Sequence, residues 1–197
     1  LEAERQRLLN ALRNEGAFGL QKSNIRFEID GDTTQTNTSK KLDLFTVIDE
    51  SADTQLYQIG SVRVYVDQLN EVSTTASDTI NRLLFFTSDS TLDLEEIEQR
   101  IAFKPEGRYS DSFRSFTLDQ LGQLNYFTYP SFNYQTSDNQ TVDLNLYLRS
   151  RKRYSLTADF DVTHSAIQQI GTSLRSSILA RNVFGSFENL SLSLSGT

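Results

Sequence analysis

Few side chains in this sequence could perform catalytic chemistry. It holds no cysteine and one histidine, His164. A serine–histidine–aspartate triad would have to use that histidine as its general base. His164 lies at the end of a predicted strand, beside a predicted hairpin loop, where an exposed turn residue is the more common finding. We therefore expect neither nucleophilic catalysis nor a cysteine-bound metal.

Two groups of carboxylates have the spacing of acid–base or metal sites. Asp159 and Asp161 share one face of a predicted strand, as paired catalytic carboxylates could. A β-barrel strand whose polar residues line a water-filled lumen would show the same alternation of polar and apolar residues. Glu95, Glu96 and Glu98 surround a predicted helix start, where the helix dipole favours negative charge, and no histidine lies beside them to complete a metal site. We interpret the two aspartates as lumen-lining residues and the three glutamates as a solvated face of the helix. We predict no enzyme activity, no cofactor and no metal.

The dense basic cluster of the sequence consists of Arg149, Arg151, Lys152 and Arg153. Such a cluster can contact lipid phosphates at a membrane surface, and the next residue, Tyr154, would then lie in the interfacial aromatic belt. An ordinary charged linker is the alternative. We favour membrane-surface contact for all five residues.

Aromatic residues are dense from Tyr126 to Tyr134, upstream of the basic cluster and on a predicted strand. Pro130 interrupts this run and removes one N–H donor, which is tolerable on an edge strand but difficult in a central one. An edge strand offers unpaired N–H and C=O groups to a passing chain. We predict a polypeptide-binding edge at Thr128, Tyr129, Phe132, Asn133 and Tyr134, although most of the aromatic side chains should serve packing.

Composition excludes several classes of function. The net charge of -7 and pI of about 4.8 argue against nucleic-acid binding, which relies on cationic surfaces. No apolar run approaches the roughly 20 residues of a membrane-spanning helix. The charged start at Leu1 and the lack of methionine favour an excised or mature piece of a longer protein.

The first 50 residues predict a helix and two strands. Leucines recur at helical spacing from Leu1 to Asn14, and Gly16 follows where a helix would stop. Residues 24–30 alternate as a half-buried strand does, with Ile25, Phe27 and Ile29 on one face. Residues 42–49 are apolar at nearly every position, which predicts a strand with neighbours on both sides or a covered second face.

Residues 56–151 predict a second, complete domain. The expected elements are a strand at 59–67, with Val62, Val64 and Val66 on one face, helices at 92–101 and 110–126, and strands at 128–135 and 141–150. Residues 69–90 show no period and predict a long loop, with a helical turn at 79–86. Proline and glycine in 104–107 end the first helix, and Ser110 or Ser112 could cap the second. The last three elements repeat the order of the first 50 residues.

Residues 152–197 predict three long strands with alternating faces, at 153–163, 170–181 and 189–195. This dyad pattern over about ten residues per strand is typical of a transmembrane β-barrel, and a soluble sandwich is the alternative. In the barrel interpretation Leu156, Ala158, Phe160 and Val162 face lipid.

The order and spacing of these elements resemble a known family. The strand–helix–helix–strand–strand unit, with Lys104-Pro105-Glu106-Gly107-Arg108-Tyr109-Ser110 between its helices and Leu121-Gly122-Gln123-Leu124-Asn125-Tyr126-Phe127 at its exit, resembles the polypeptide-transport-associated (POTRA) domain. The stretch Asn182-Val183-Phe184-Gly185, followed by Leu190-Ser191-Leu192-Ser193, is similar to the turn between the second and third barrel strands of the BamA and TamA family. Where that family often has Arg-Gly after the turn glycine, this chain has Ser186-Phe187.

The resemblance implies a fold of α+β POTRA modules (β-α-α-β-β) followed by antiparallel transmembrane barrel strands. It implies an outer-membrane assembly or translocation factor with its POTRA region in the periplasm. Implied partners are unfolded outer-membrane protein clients, periplasmic or lipoprotein accessory subunits and outer-membrane lipid. Residues 69–90 and the acidic balance resemble relatives from Bacteroidetes-type bacteria. The alternatives are a two-partner-type secretion pore and a soluble periplasmic protein-binding module.

Overall fold

The computed structural model describes residues 1–31, 42–68, 77–137, 139–163 and 171–196, which form a mixed α/β structure made mostly of strands. The chain divides into two compact units, Leu1–Val62 with Ala102–Thr117 and Tyr134–Leu144, and Arg63–Ile101 with Leu118–Asn133 and Asn145–Thr197. The helices are α1 (Glu2–Asn14), α2 (Leu94–Gln99) and α3 (Asp111–Gln123). The strands are β1 (Ile25–Gly31), β2 (Leu42–Ile48), β3 (Gln58–Val66), β4 (Asp78–Ile80), β5 (Leu83–Phe86), β6 (Phe127–Ser137), β7 (Thr141–Ser150), β8 (Tyr154–Thr163), β9 (Gly171–Arg181) and β10 (Asn189–Gly196).

Helix α1 confirms the predicted amphipathic helix and its stop. Gly16 follows the helix with φ of +107°, a backbone conformation that a side chain would strain. One face of the helix contributes Leu9 to a small core with Ala17, Leu20 and Ile25. This core lies in the first unit and uses the start of β1.

The prediction that β2 has neighbours on both sides or a covered second face is wrong for the described residues. β2 pairs antiparallel with β1, from Ile25 opposite Ile48 to Gly31 opposite Leu42, and these two strands form a separate two-stranded sheet. Leu44 is 54% exposed and Phe45 is also exposed. An apolar run shows that a strand is suited to burial. Whether the strand is buried depends on a covering segment from elsewhere in the chain.

The second unit of the prediction, a strand, two helices and two strands, is present as β3, α2, α3, β6 and β7. Its three strands belong to a five-stranded sheet with the order β4-β5-β3-β7-β6, in which β4 and β5 form an additional hairpin. The predicted inward face of β3 is confirmed, because Val62, Val64 and Val66 are fully buried. Leu144 and Leu146 of β7 are equally buried. Burial at this level makes these two strands the interior of the sheet.

The inserted hairpin corrects the prediction of a loop with a helical turn between residues 77 and 90. β4 and β5 pair antiparallel, with Ile80 opposite Leu83. Asn81 and Arg82 connect them with φ of 48° and 69°, the left-handed pair that a two-residue hairpin turn requires. Asn-Arg is a weak signal for such a turn compared with Asn-Gly, so the hairpin was missed. The other part of the predicted loop, 69–76, lies outside the described residues.

Helix α3 receives its cap from another helix. The Oδ1 atom of Asn14, at the end of α1, accepts a hydrogen bond from the Ser112 backbone N–H at 2.9 Å. The Ser110 hydroxyl, predicted as a cap, instead donates to the same Oδ1 at 3.1 Å. Thr117 and Leu121 of α3 are fully buried. A long-range contact therefore does what the local sequence was expected to do.

The three strands predicted in residues 152–197 are confirmed as an antiparallel sheet with the order β10-β9-β8. Tyr154 lies opposite Ala180, and Leu190 lies opposite Ala180 from the other side. The register keeps side chains of one kind in rows across the sheet. No helix among the described residues is long and apolar enough to cross a membrane.

Candidate functional site

The predicted polypeptide-binding strand, β6, is the last strand in the order of its sheet. Its side chains alternate between half-buried and exposed from Thr128 to Gln135. Tyr129 and Asn133 of the predicted edge are exposed, whereas Thr128, Phe132 and Tyr134 are half-buried. An added strand would therefore contact Thr128, Phe132 and Tyr134 mainly through their backbone groups.

The Tyr134 side chain packs against other aromatic rings in the interior of the first unit. Its ring lies 5.2 Å from the Phe18 ring and 6.1 Å from the Tyr109 ring, centroid to centroid. Burial raises the pKa of the Tyr134 phenol to about 12 and also raises the pKa of Tyr109, whose hydroxyl donates to Asp111 at 2.6 Å. Arg13 bridges to the same Asp111 carboxylate at 2.8 Å. These side chains form a folded interior.

Tyr129 differs from the other aromatic residues of β6. It is 90% exposed and has φ of 48°, in the left-handed region that residues other than glycine rarely adopt. Pro130 follows it and lacks an N–H donor. Tyr129 therefore presents an aromatic ring to solvent at a point of β6 where the backbone is left-handed and the next residue lacks an N–H donor.

The basic cluster begins with Arg149 at the end of β7 and continues after the strand, where its backbone is anchored. The Arg151 N–H donates to the Tyr126 carbonyl at 2.7 Å, and its Nε donates to the Phe127 carbonyl at 3.3 Å. Arg181 donates through its backbone N–H to the Arg153 carbonyl at 2.8 Å and through Nη1 to the Lys152 carbonyl at 2.9 Å. The segment is therefore held between β6 and β9.

The basic side chains remain on the surface although their backbone is held. Arg149, Arg151, Lys152 and Arg153 are exposed, and Tyr154 is also exposed beneath the Arg153 guanidinium, 5.9 Å from the ring centroid. The cluster thus presents cations at the point where the five-stranded sheet ends and β8 begins.

The three-stranded sheet has two chemically different faces. One face carries cross-strand rows such as Leu156–Ile178–Leu192, and the opposite face carries rows such as Thr157–Ser177–Ser193. All four predicted lipid-facing residues lie on the apolar face and are exposed: Leu156, Ala158, Phe160 and Val162. Leu156 is 72% exposed. The rows extend the alternation of one strand to a mainly apolar face, which Ser176 and Thr172 of β9 interrupt.

The polar face carries the carboxylates singled out in the sequence. Asp159 lies opposite Arg175, and Asp161 lies opposite Ser173. An acid paired across the sheet with an arginine suits a hydrated surface, and two unlike neighbours do not make a symmetric carboxylate pair. Both carboxylates therefore lie on the polar face of the three-stranded sheet.

The turn between β9 and β10 lies where the sequence placed it, but sequence reasoning missed the packing of Phe187. Phe187 is 4% exposed, and its ring centroid lies 5.1 Å from that of Tyr126 and 5.6 Å from that of Phe127. Its N–H donates to the Asn182 side chain at 3.0 Å, and Asn189 Nδ2 donates to the Leu124 carbonyl at 3.4 Å. The turn therefore docks on the segment between α3 and β6. The departure from the family's Arg-Gly at Ser186-Phe187 was the available signal.

Other candidate sites from the sequence lie elsewhere. Glu98, predicted to be on a solvated face, is 5% exposed, because it lies beside fully buried Ile97 on the inner side of α2. Glu96 remains half-buried and pairs with Arg100. His164 lies outside the described residues. Within the part of the chain that the structure describes, no group of three histidine, cysteine or acidic residues could hold a metal ion.

Comparison with solved structures shows similarity in fold at low sequence identity. No family model and no curated protein match the sequence. The structure is similar to BamA from Haemophilus ducreyi lacking POTRA domains 1-3, with a TM-score of 0.50, 12% identity and coverage of 98% of this chain. It also matches CdiB from Acinetobacter baumannii, with a TM-score of 0.43, 15% identity and coverage of 95%. The chain spans 30% and 28% of the lengths of those two proteins. At 12% identity, the likeness to BamA shows a shared fold alone.

Proposed function

We propose that this chain belongs to a bacterial outer-membrane protein that assembles or translocates other proteins. In this proposal residues 56–151 form a POTRA module in the periplasm, residues 1–50 are part of a preceding one, and residues 152–197 are the first three strands of a transmembrane barrel. The observation that carries the proposal is the exposed, mainly apolar face of the β8–β10 sheet. The shared fold with part of BamA supports it.

The dimensions of β8 suit a membrane. Its ten residues, at about 3.4 Å per residue, span about 34 Å, and a strand tilted by about 40° would then cover roughly 25 Å of bilayer. That is the height of the apolar band of outer-membrane barrels. Three strands leave edges with unpaired backbone groups, which lipid does not tolerate, so further strands would have to complete the barrel.

Clients would bind to the periplasmic part by strand addition. β6 lies at the end of its sheet, and an extended polypeptide could continue the hydrogen-bond ladder there. The exposed side chains Ser131, Asn133 and Gln135 would contact the added chain and give preference among clients. Accessory periplasmic or lipoprotein subunits would be further partners. The activity requires no cofactor and no catalytic residue.

Site-specific photo-crosslinking tests this function. A p-benzoylphenylalanine residue replaces Asn133 on β6 in the full-length protein in membranes, and the matched control replaces Phe116, an exposed aromatic residue of α3. We expect adducts with unfolded outer-membrane proteins at position 133 and few at position 116. Equal adduct yields at both positions would reject the edge strand as the client site.

The same experiment separates assembly from secretion. Adducts with outer-membrane barrel proteins support an assembly role, whereas adducts with one exported soluble partner support a secretion pore of the two-partner type. Recovery of the full-length protein in the aqueous fraction without detergent would contradict both.

A further inference from the structure

A groove of about 960 Å³ lies beside the start of β6, within the second unit. Thr128, Tyr129 and Ser131 of β6 line one side, and residues 147–152 at the end of β7 line the other. The groove therefore joins two features that the sequence analysis treated separately, the aromatic edge strand and the basic cluster.

The charge of the groove favours an anion. Arg149, Arg151 and Lys152 line it with exposed side chains, and no described carboxylate forms an ion pair with them. Asp67 is the acidic residue among the lining residues, and one of its oxygens accepts the Ser150 N–H at 2.8 Å. Three cations thus oppose one partly occupied carboxylate, although the whole chain has a net charge of -7.

The cationic side of the groove is held in place before any ligand binds. Arg151 is fixed to the carbonyls of Tyr126 and Phe127, and the backbone of Lys152 is fixed by Arg181. A guanidinium and an ammonium group on a held backbone lose less conformational entropy when they bind a phosphate. This arrangement differs from a flexible basic linker, which attracts anionic surfaces without a defined site.

Tyr129 supplies an amphipathic ring at the rim of the groove. Its backbone is left-handed, Pro130 follows directly after it, and 90% of the residue is exposed. A tyrosine ring with its hydroxyl suits the boundary between lipid headgroups and acyl chains. Two residues beyond Lys152, Tyr154 begins the exposed apolar face of β8. Groove and apolar face are therefore adjacent along the chain.

We propose that this groove binds the phosphate headgroup of an anionic phospholipid at the periplasmic membrane surface. Arg149, Arg151 and Lys152 hold the phosphate, and Tyr129 contacts the glycerol region. The proposal rests on the membrane location given under the proposed function, and it replaces diffuse attraction with a defined headgroup site. It also assigns Tyr129 to lipid, although the sequence placed this residue in the client-binding edge.

Native mass spectrometry of the full-length protein, released from non-ionic detergent with phosphatidylglycerol or phosphatidylcholine, measures headgroup binding. We expect phosphatidylglycerol to bind more tightly than phosphatidylcholine, whose choline cation the basic groove repels. Arg149→Gln/Lys152→Gln should weaken phosphatidylglycerol binding at least about tenfold and phosphatidylcholine binding much less. The control Arg7→Gln/Lys22→Gln removes two exposed cations of the first unit and should leave both unchanged. Equal binding of the two lipids, or equal loss in both variants, would overturn the defined site.

A photo-crosslink from position 129 identifies the occupant in an otherwise unaltered protein. With p-benzoylphenylalanine in place of Tyr129, a phospholipid adduct that disappears in Arg149→Gln/Lys152→Gln supports the proposal. Polypeptide adducts without lipid adducts would overturn it and return the groove to the client surface. Client adducts at position 133 together with no lipid adduct at 129 would reject the groove while leaving the proposed function intact.

Discussion

Strands β3 and β8 alternate in the same way, yet their apolar faces have different surroundings. Val62, Val64 and Val66 of β3 are fully buried inside a five-stranded sheet. Leu156 and Phe160 of β8 are exposed in a three-stranded sheet. Alternation requires only that the two faces of a strand meet unlike surroundings. In β3 the apolar surroundings are other side chains of the protein, and for β8 we propose that they are lipid.

The largest expected effect is on the buried strand. Val64→Asp places an uncompensated charge where no solvent reaches, and we expect it to lower the free energy of unfolding by about 4–5 kcal/mol or more. Denaturant titration in non-ionic detergent measures the loss. A control, Arg63→Asp, changes the neighbouring half-buried position. A mild effect of Val64→Asp would mean that the interior of the five-stranded sheet is hydrated.

Docking of the β9–β10 turn should come next in size. Phe187→Ala removes a buried ring that contacts Tyr126 and Phe127, and such truncations typically cost about 3–5 kcal/mol. Phe184 is in the same turn and is 82% exposed, so Phe184→Ala should cost little in detergent. Thermal or denaturant unfolding compares the two variants. Equal losses would show that Phe187 contributes no docking energy.

The exposed face of β8 should be sensitive only in lipid. We expect Ala158→Arg to cost about 2–4 kcal/mol, because it places a charge at the middle of the apolar face. Thr157→Arg, on the opposite face, should cost much less. Folding into phosphatidylcholine vesicles, followed by heat-modifiable mobility, measures both. If the two arginines had equal effects, the membrane interpretation of the sheet would fail and β8 would resemble a soluble strand.

Alkaline pH tests the aromatic interior that β6 shares with Tyr109. Tyr134 has a folded pKa of about 12, above the value of about 10 expected for an unfolded tyrosine. Its neutral form therefore contributes stability that is complete below about pH 10 and is lost as the pH rises through about 12. Urea unfolding at pH 9 and pH 11 should show this fall. Tyr134→Phe should reduce the pH dependence, and an unchanged dependence would contradict the assignment.

The smallest effect on stability is expected at the edge of the sheet. Asn133→Pro removes an N–H donor from β6, which already contains Pro130 and lies last in the order. The protein should stay folded and lose crosslinking to client peptides. Asn133→Ala keeps the N–H group and should retain client capture. If the folded proline variant captured clients normally, strand addition at β6 would not be the binding mode.

Local patterns in the sequence determined most of the elements. The helical spacing of leucines and the stop at Gly16 predicted α1, and period-two alternation predicted β3 and the strands β8 to β10. These predictions succeed because hydrogen bonding and side-chain direction repeat within a few residues. The same patterns identified the exposed apolar residues of β8 and the basic cluster that begins at the end of β7.

Tertiary structure alone decided which of these residues come together. Asn14 caps α3, Phe187 docks on Tyr126, and Tyr129 shares a groove with Lys152. In each case the two partners lie far apart in the sequence, beyond the reach of a local repeat. The uncovered face of β2 and the β4–β5 hairpin escaped prediction for related reasons, a cover that must come from another segment and a turn whose left-handed residues are not glycines. Periodicity specifies the faces of an element, and long-range packing specifies what each face meets.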